Sequence, residues 1–323
     1  WQQNITTQSC FTWYSSKKEL RITCFGKGFP YLNPDQTGSL FVLTGQTDDH
    51  YSAFFLETED EIERFLGAFG LSPLETNTII DASRLQPDAA EADAIREFIA
   101  SLTVDFPDSF EMSAAARCIE DKVYNHHEYV RDDPDRKIIS WTNTEFALFR
   151  ALEYVRYGDV IAKGFSNVDK FVAAANQGLN RRKSRAGKSF EHHLVAVFEG
   201  NGIRFEAQAR TEGKKRPDFI FPSGAAYHDR SFPPEKLLML AAKTTCKDRW
   251  RQILNEADRL RDRTKYLCTL QQCISPAQMD EMEAEHVTLV VPEKFIAAYP
   301  SDRRGRIWTL RRFIEYVREL EDV

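Results

Sequence analysis

Arg216-Pro217-Asp218-Phe219-Ile220-Phe221, followed by Leu237-Leu238-Met239-Leu240-Ala241-Ala242-Lys243, is the stretch whose reading decides the fold of this 323-residue chain. Short, unbroken apolar runs bounded by turn residues read as strands buried on both faces, as in a sheet covered by helices. The first run is opened by an acid and the second is closed by a lysine. Further strands are expected at Ile203 to Ala209 and Val287 to Val291, and helices at Lys188 to Glu199, Lys247 to Arg263 and Leu310 to Leu320. Strands alternating with helices predict an α/β/α layered domain. Upstream, helical spacing is read at Ser113 to Tyr129, Thr144 to Tyr157 and Val168 to Ala175. Residues 1 to about 80 read as β-rich, with runs such as Phe11-Thr12-Trp13-Tyr14 and Leu40-Phe41-Val42-Leu43, turns at Gly26 to Gly38, and one helix at Glu59 to Phe69. The composition shifts to Ala, Asp and Glu around Pro87, with a short helix at Ala89 to Leu102. The expected division is therefore an N-terminal domain over 1–85, a linker over 86–103 and a second domain over 104–323.

The 42% apolar and 12% aromatic content supports a packed core, and no uncharged apolar run is long enough to span a bilayer. The net charge of −6 argues against a uniformly basic nucleic-acid binder, but the average conceals a division. Between Asp48 and Asp121 there are 18 acids against 4 basic residues, whereas between Asn180 and Arg216 there are 10 basic residues against 4 acids. The second segment is the candidate surface for a polyanion. The six cysteines lack zinc-site spacing and read as reduced thiols of a cytosolic protein. The chain starts at Trp1 without Met or signal-peptide regions, which reads as a fragment or an incomplete start.

Four side chains sit where their charge is costly or oddly placed. Glu191 has Leu194, Val195 and Phe198 three, four and seven residues on, so its carboxylate falls within an apolar helical stripe and needs a partner. Asp218 opens one strand, Lys243 closes the next, and Glu256 lies at the edge of the stripe formed by Trp250, Ile253, Ala257 and Leu260. Each has an ordinary alternative: a turn for Pro217-Asp218, a solvated strand end for Lys243, a helical ion pair for Glu256, a buried pair with arginine for Glu191. Together, carboxylates converging beside a lysine form a nuclease-like constellation able to bind Mg²⁺. Ala186-Gly187-Lys188-Ser189 ends like a phosphate loop, but Arg182 stands where that loop needs glycine, so no nucleotide cofactor is expected. The adjacent pairs His126-His127 and His192-His193 diverge on a helix and make no chelate. Arg181, Arg182, Lys183 and Arg185 have a density that suits a phosphate backbone.

The run from Asn180 to Ser189, the Arg216 to Ser223 segment, Gly224-Ala-Ala-Tyr-His-Asp, and above all the sixteen residues from Lys243 to Asp258 resemble the EcoRII-like type II restriction endonucleases, a branch of the PD-(D/E)XK nucleases. The similarity runs from about Gly158 to Pro292, and more loosely through Arg21-Ile-Thr and Asn33-Pro-Asp-Gln-Thr-Gly. It implies a restriction-endonuclease-like α/β/α domain with a mixed central sheet, preceded by a mainly β, pseudobarrel-like DNA-binding domain. In that family the second carboxylate of the site has moved from the strand to the following helix. Asp218, Lys243 and Glu256 match the family's positions, with Glu191 as the additional upstream acid. The resemblance implies that Asp218, Glu256 and Glu191 hold Mg²⁺ while Lys243 orients the attacking water.

Lys247, Asp248 and Arg249 would read G·C pairs, since lysine and arginine donate to guanine and aspartate accepts from cytosine; a helix start with an acidic cap is the plain alternative. The resemblance further implies a CCWGG-type site in double-stranded DNA, with CCNGG as the alternative, and a flipped central base for which Trp141, or a neighbour between Arg136 and Asn143, is the candidate stacking partner. It implies a homodimer in the bacterial cytoplasm, and an N-terminal effector domain that binds a second copy of the site and relieves autoinhibition. Lys17, Glu19, Arg21 and Asn33 would face that DNA, although Asn33 replaces an acid and the family's domain begins upstream of Trp1. The rivals are a DNA-binding regulator that has lost catalysis and a repair nuclease without a G·C code.

Overall fold

The computed structural model describes residues 1–16, 19–80, 87–124 and 129–322. Near the N-terminus β1 (Cys10–Tyr14) pairs antiparallel with β2 (Glu19–Thr23), and β3 (Leu40–Thr47) with β4 (His50–Leu56). Among the described residues these remain two separate two-stranded sheets, so the expected pseudobarrel is not formed. Closure needs a continuous ladder, and the two hairpins share none. The Trp1 ring instead gathers Phe25, Phe29, Tyr31, Phe41 and Phe55 around it. Helix α1 (Glu59–Phe69) starts at a capping box between Thr58 and Glu61 and stops at Gly70, whose φ of 65° suits a residue without Cβ. Its Ile62 and Leu66 bury against Leu40, Leu56 and Leu71.

Helix α2 (Ala89–Ser101), capped by Asp88, packs Ala94, Ile95 and Ile99 with Met112, Ala116 and Ile119 of α3 (Ser109–Tyr124). The segment read as a linker is thus, in its described part, a packed helix, because its apolar spacing finds a partner face. After the short α4 (Tyr129–Asp132) come two long helices, α5 (Pro134–Lys163) and α6 (Val168–Gly200). The two separate helices expected on either side of the basic run are one. Asn167 caps α6, no proline interrupts it, and the arginines within it meet acids on neighbouring helices.

The remaining strands are β5 (Glu206–Ala207), β6 (Phe219–Phe221), β7 (Leu238–Lys243), β8 (Lys265–Thr269) and β9 (Val287–Val290), with α7 (Gly224–His228), α8 (Pro276–Ala284), α9 (Glu293–Ile296) and α10 (Leu310–Asp322) between or after them. They lie in sheet order β5-β6-β7-β8-β9, antiparallel from β5 to β7 and parallel from β7 to β9. Phe219, Leu240 and Tyr266 are cross-strand neighbours on one face, where Phe198 of α6 and Phe313 of α10 cover them. Ile220, Met239 and Leu267 on the other face are equally buried, in one core with Trp250, Ile253, Met279 and Met282. This is the two-sided burial that the apolar runs require. Strand β8 escapes the sequence reading because it opens on a lysine and carries only one large aliphatic residue.

Residues 247–263 depart most from expectation. They form two 3₁₀ segments, Arg249–Asn255 and Asp258–Leu260, separated by Glu256 in extended conformation and Ala257 at φ 54°. Glu256 is therefore not on a helix. The cause is Lys265, only 2% exposed, whose Nζ donates to the carbonyls of Ile253 (3.2 Å), Leu254 (2.6 Å) and Glu256 (2.5 Å) and so takes acceptors that a continuing helix would use. We expect Lys265→Met, which keeps length and removes all three donations, to cost about 2–4 kcal/mol in urea unfolding. An unchanged unfolding midpoint would remove this role from Lys265.

Candidate active site

Pro217 and the turn before β6 place Asp218 at the strand entrance, nearly buried at 7% exposure. Its Oδ2 accepts from the backbone N–H of Ala242 in β7 (2.8 Å) and from Lys243 Nζ (3.1 Å), while Oδ1 accepts from Gln208 Nε2 (3.1 Å). The antiparallel register of β6 and β7 brings the acid that opens one strand beside the lysine that closes the other. Glu191 reaches the same place from α6, its Oε2 accepting from the same Gln208 Nε2 at 3.1 Å. Glu256 approaches from the Lys265-pinned turn, near enough to feel the charges of both Asp218 and Lys243, and its buried Oε2 has no hydrogen-bond partner.

The four residues singled out in the sequence thus lie together, and Gln208 joins them. A glutamine in a polar loop carries no sequence signal, so it escaped notice. Burial first, and then the charge of Asp218, push the Glu256 carboxyl up to about 7; the same two causes raise Glu191. Among the described residues no three His, Cys, Asp or Glu side chains are close enough to hold an ion by themselves. The donor set still fits a hard divalent cation that keeps several waters and takes one or two carboxylates. An unpartnered buried carboxylate oxygen and the mutual repulsion of the acids are what such a charge would relieve.

The expected sequence-reading residues are engaged by the N-terminal part of the chain. Lys247 is 7% exposed and donates to Ser39 Oγ at 2.7 Å. The backbone N–H of Arg249 donates to Glu59 (2.7 Å), and its guanidinium to Asp60 (2.8 Å) and Glu63 (2.9 Å), all on α1. Asp248 is exposed. The other end of α1 is held by Arg182, which donates to the carbonyls of Gly67 (3.0 Å) and Ala68 (2.8 Å). Between α1 and the end of β7 lies a cleft of about 700 Å³, lined by Glu59, Glu63, Glu191, Lys243 and Arg249.

The basic run is largely structural where it was expected to meet phosphate. Arg185 is 6% exposed, paired with Glu145 (3.2 Å) and stacked on Phe146 and Phe149. Arg182 pairs with Glu153 (2.8 Å), and Arg181 donates to Tyr157 and covers the Phe106 ring. Helix α6 turns these cations toward acids and aromatics of neighbouring elements, leaving Lys183 exposed. Trp141 is 4% exposed inside the core, against His193, so no base can stack on it in this arrangement. Arg21 is exposed and lies over the Tyr14 ring at 5.0 Å; exposed Asn33 caps the turn at Pro34–Gln36. Lys17 lies outside the described residues, and of Glu19 only the backbone, in β2, is described.

A five-stranded mixed sheet with an acid opening one strand and a lysine closing its neighbour defines a restriction-endonuclease fold. Two solved structures share it: metal-depleted Ecl18kI in complex with uncleaved, modified DNA (TM-score 0.55, 20% identity, 72% of this chain and 85% of that one), and a PspGI–substrate DNA complex (TM-score 0.52, 17% identity, 67% and 94%). The family described as EcoRII C terminal matches residues 149–314, half of the sequence, and the chain belongs to that family. It is 50% identical over 194 residues to the type II restriction enzyme EcoRII of Escherichia coli, covering 59% of this chain and 48% of that protein. It is 28% identical over 117 residues to the type II restriction enzyme SsoII of Shigella sonnei, covering 34% and 37%. The chain thus spans about half or less of the length of these curated relatives. No helix among the described residues is long and apolar enough to cross a membrane.

The raised Glu256 carboxyl has a consequence for stability. A group whose folded pKa lies above its unfolded value stabilises the fold only while protonated, so ionising Glu256 costs stability increasingly from about pH 4.5 and fully above about pH 7. In EDTA, Glu256→Gln is expected to melt higher than the unsubstituted protein at pH 8, with the difference shrinking toward pH 5. Calorimetry that finds a pH-independent difference would contradict the raised value.

Proposed function

We propose that this chain is a site-specific type II restriction endonuclease that hydrolyses phosphodiester bonds in double-stranded DNA at a CCWGG-type site, with Mg²⁺ as cofactor. The observation that carries this reading is the gathering of Asp218, Glu191, Glu256 and Lys243 at the junction of β6 and β7. Family membership and two relatives named as type II restriction enzymes support it. Asp218 and Glu191, together with waters and with Glu256 beside them, would hold the cation. Once bound, it supplies a polarised phosphate and a water of lowered pKa. Lys243, fixed at the end of β7, orients the water for in-line attack and offsets the negative charge that grows on the phosphate oxygens. The water oxygen bonds to phosphorus, the bond to the 3′ oxygen breaks, and the cut leaves a 5′-phosphate.

In this reading α1 acts as a brake. Its carboxylates occupy Arg249, which would otherwise meet guanine, and they border the cleft that DNA must enter. A second copy of the site, bound by the N-terminal domain over residues 1–85, would release α1 and act as an allosteric effector. A homodimer matches the two-fold symmetry of a palindromic site. It is also favoured by the exposed apolar side chains Tyr154, Ile161, Val168 and Phe171 near the α5–α6 turn. The compartment would be the bacterial cytoplasm.

On a short CCWGG duplex with Mg²⁺, Asp218→Asn and Lys243→Ala are each expected to lower single-turnover cleavage by about 10³-fold or more while binding stays within a few-fold. A variant that cuts at the normal rate would remove its residue from the site, and specific binding without any cleavage by the unsubstituted chain would favour the inert regulator. Replacing Glu59 and Glu63 together by Gln is expected to raise cleavage without added effector duplex and to weaken the response to that duplex. If the response is unchanged, α1 is not the brake.

A further inference from the structure

One side chain among the gathered charges is neutral. Gln208 Nε2 carries two hydrogens, and it directs them to two different carboxylates, Glu191 Oε2 and Asp218 Oδ1, each at 3.1 Å. The backbone holds it there at a conformational cost. Gln208 has φ 55°, in the left-handed region that residues with a Cβ rarely adopt. Its own N–H donates to the carbonyl of Asp218 at 3.0 Å, and the next residue, Ala209, is buried at 2% exposure, so the loop after β5 cannot rotate freely. Gln208 itself is exposed, which excludes core packing as the reason for its placement.

The second oxygen of Asp218 is already held by Ala242 N–H and Lys243. Asp218 is therefore fixed with or without Gln208. Glu191 is not: among the described residues its carboxylate accepts one hydrogen bond, from Gln208, and it extends from α6 toward a like charge. Without that amide, burial and repulsion from Asp218 are opposed only by the charges of Lys243 and Lys188, and no hydrogen bond among the described residues keeps Glu191 from turning into solvent.

We propose that Gln208 is a positioning residue that holds the Glu191 carboxylate beside Asp218, so that a divalent cation meets both. This rests on the reading of the site as a metal centre and adds to it a residue that touches neither metal nor DNA, acting through Glu191. Partners of this kind change metal affinity by about 10–100-fold when removed.

The test is Mn²⁺ binding to the full chain without DNA, read from the free-ion electron paramagnetic resonance signal. Melting temperature and DNA affinity in EDTA are measured beside it. Gln208→Met keeps the length and removes the amide, and Gln208→Ala removes both; each is expected to weaken Mn²⁺ binding about tenfold with melting unchanged. Because Gln208 acts through Glu191, adding Gln208→Met to Glu191→Gln is expected to cause no further loss. Mn²⁺ affinity equal to that of the unsubstituted chain in either Gln208 variant, or a loss additive with Glu191→Gln, would overturn the proposal. Asp218→Asn separates the two readings: if it abolishes Mn²⁺ binding while the Gln208 variants bind normally, the metal centre stands and Gln208 has no part in it. An unsubstituted chain that binds no Mn²⁺ overturns both.

Discussion

The arrangement depends on one electrostatic constraint: Asp218, Glu191 and Glu256 are held near each other and partly out of water, with Lys243 as the neighbouring cation. Left alone, such a group would disperse or take up protons, and the upward shifts at Glu256 and Glu191 are the sign of that tendency. Each acid is fixed by a different device. Asp218 is tied across the sheet by Ala242 N–H. Glu256 is placed by a turn that Lys265 terminates. Glu191 rides on a long helix and is met by Gln208. The sheet is the part that none of these can do without, since the β6–β7 register sets the distance from Asp218 to Lys243.

The second feature is the contact between α1 and the part of the chain that carries the five-stranded sheet. Three arginines distant in sequence, Arg249, Arg182 and Arg150, all donate to α1 or the residues just after it. Arg249 takes acids at the start of the helix, whereas Arg182 and Arg150 take carbonyls at its end, where the helix dipole favours a cation. Acids at the start of α1 and carbonyls at its end thus meet arginines from three later parts of the chain. Charges of this kind weaken with salt and compete with phosphate, which is what the proposed brake would require.

How much of this was legible in the sequence varied with the kind of signal. The buried strands β6 and β7 and the grouping of Asp218, Lys243, Glu191 and Glu256 were legible because a charge inside or at the rim of an apolar run is costly, and its position stands out. The break at Glu256 was not, since it comes from Lys265 reaching back to carbonyls, a contact without a local pattern. Arg182 and Arg185 read as a solvated or DNA-facing run because a sequence does not display Glu145 and Glu153, which neutralise them from another helix. The expectation for Trp141 rests on the resemblance and not on its surroundings, and helix α5 carries it into the core against His193. The pairing of Arg249 with α1 joins residues far apart in the chain, and Arg249 lies outside the basic segment from Asn180 to Arg216, so the sequence carried no signal of it.

The central claim, that this gathering of carboxylates and lysine is a metal-dependent phosphodiesterase site with sequence selectivity, is tested most directly by sequencing the ends produced from a plasmid of known sequence. The chain would be incubated with Mg²⁺ and a short CCWGG duplex, beside a control in EDTA. Discrete 5′-phosphate ends at CC/GG frames, absent in EDTA, are the expected result and would also read out the central base. Ends scattered without regard to sequence, or an intact plasmid in the presence of Mg²⁺ and duplex, would contradict it.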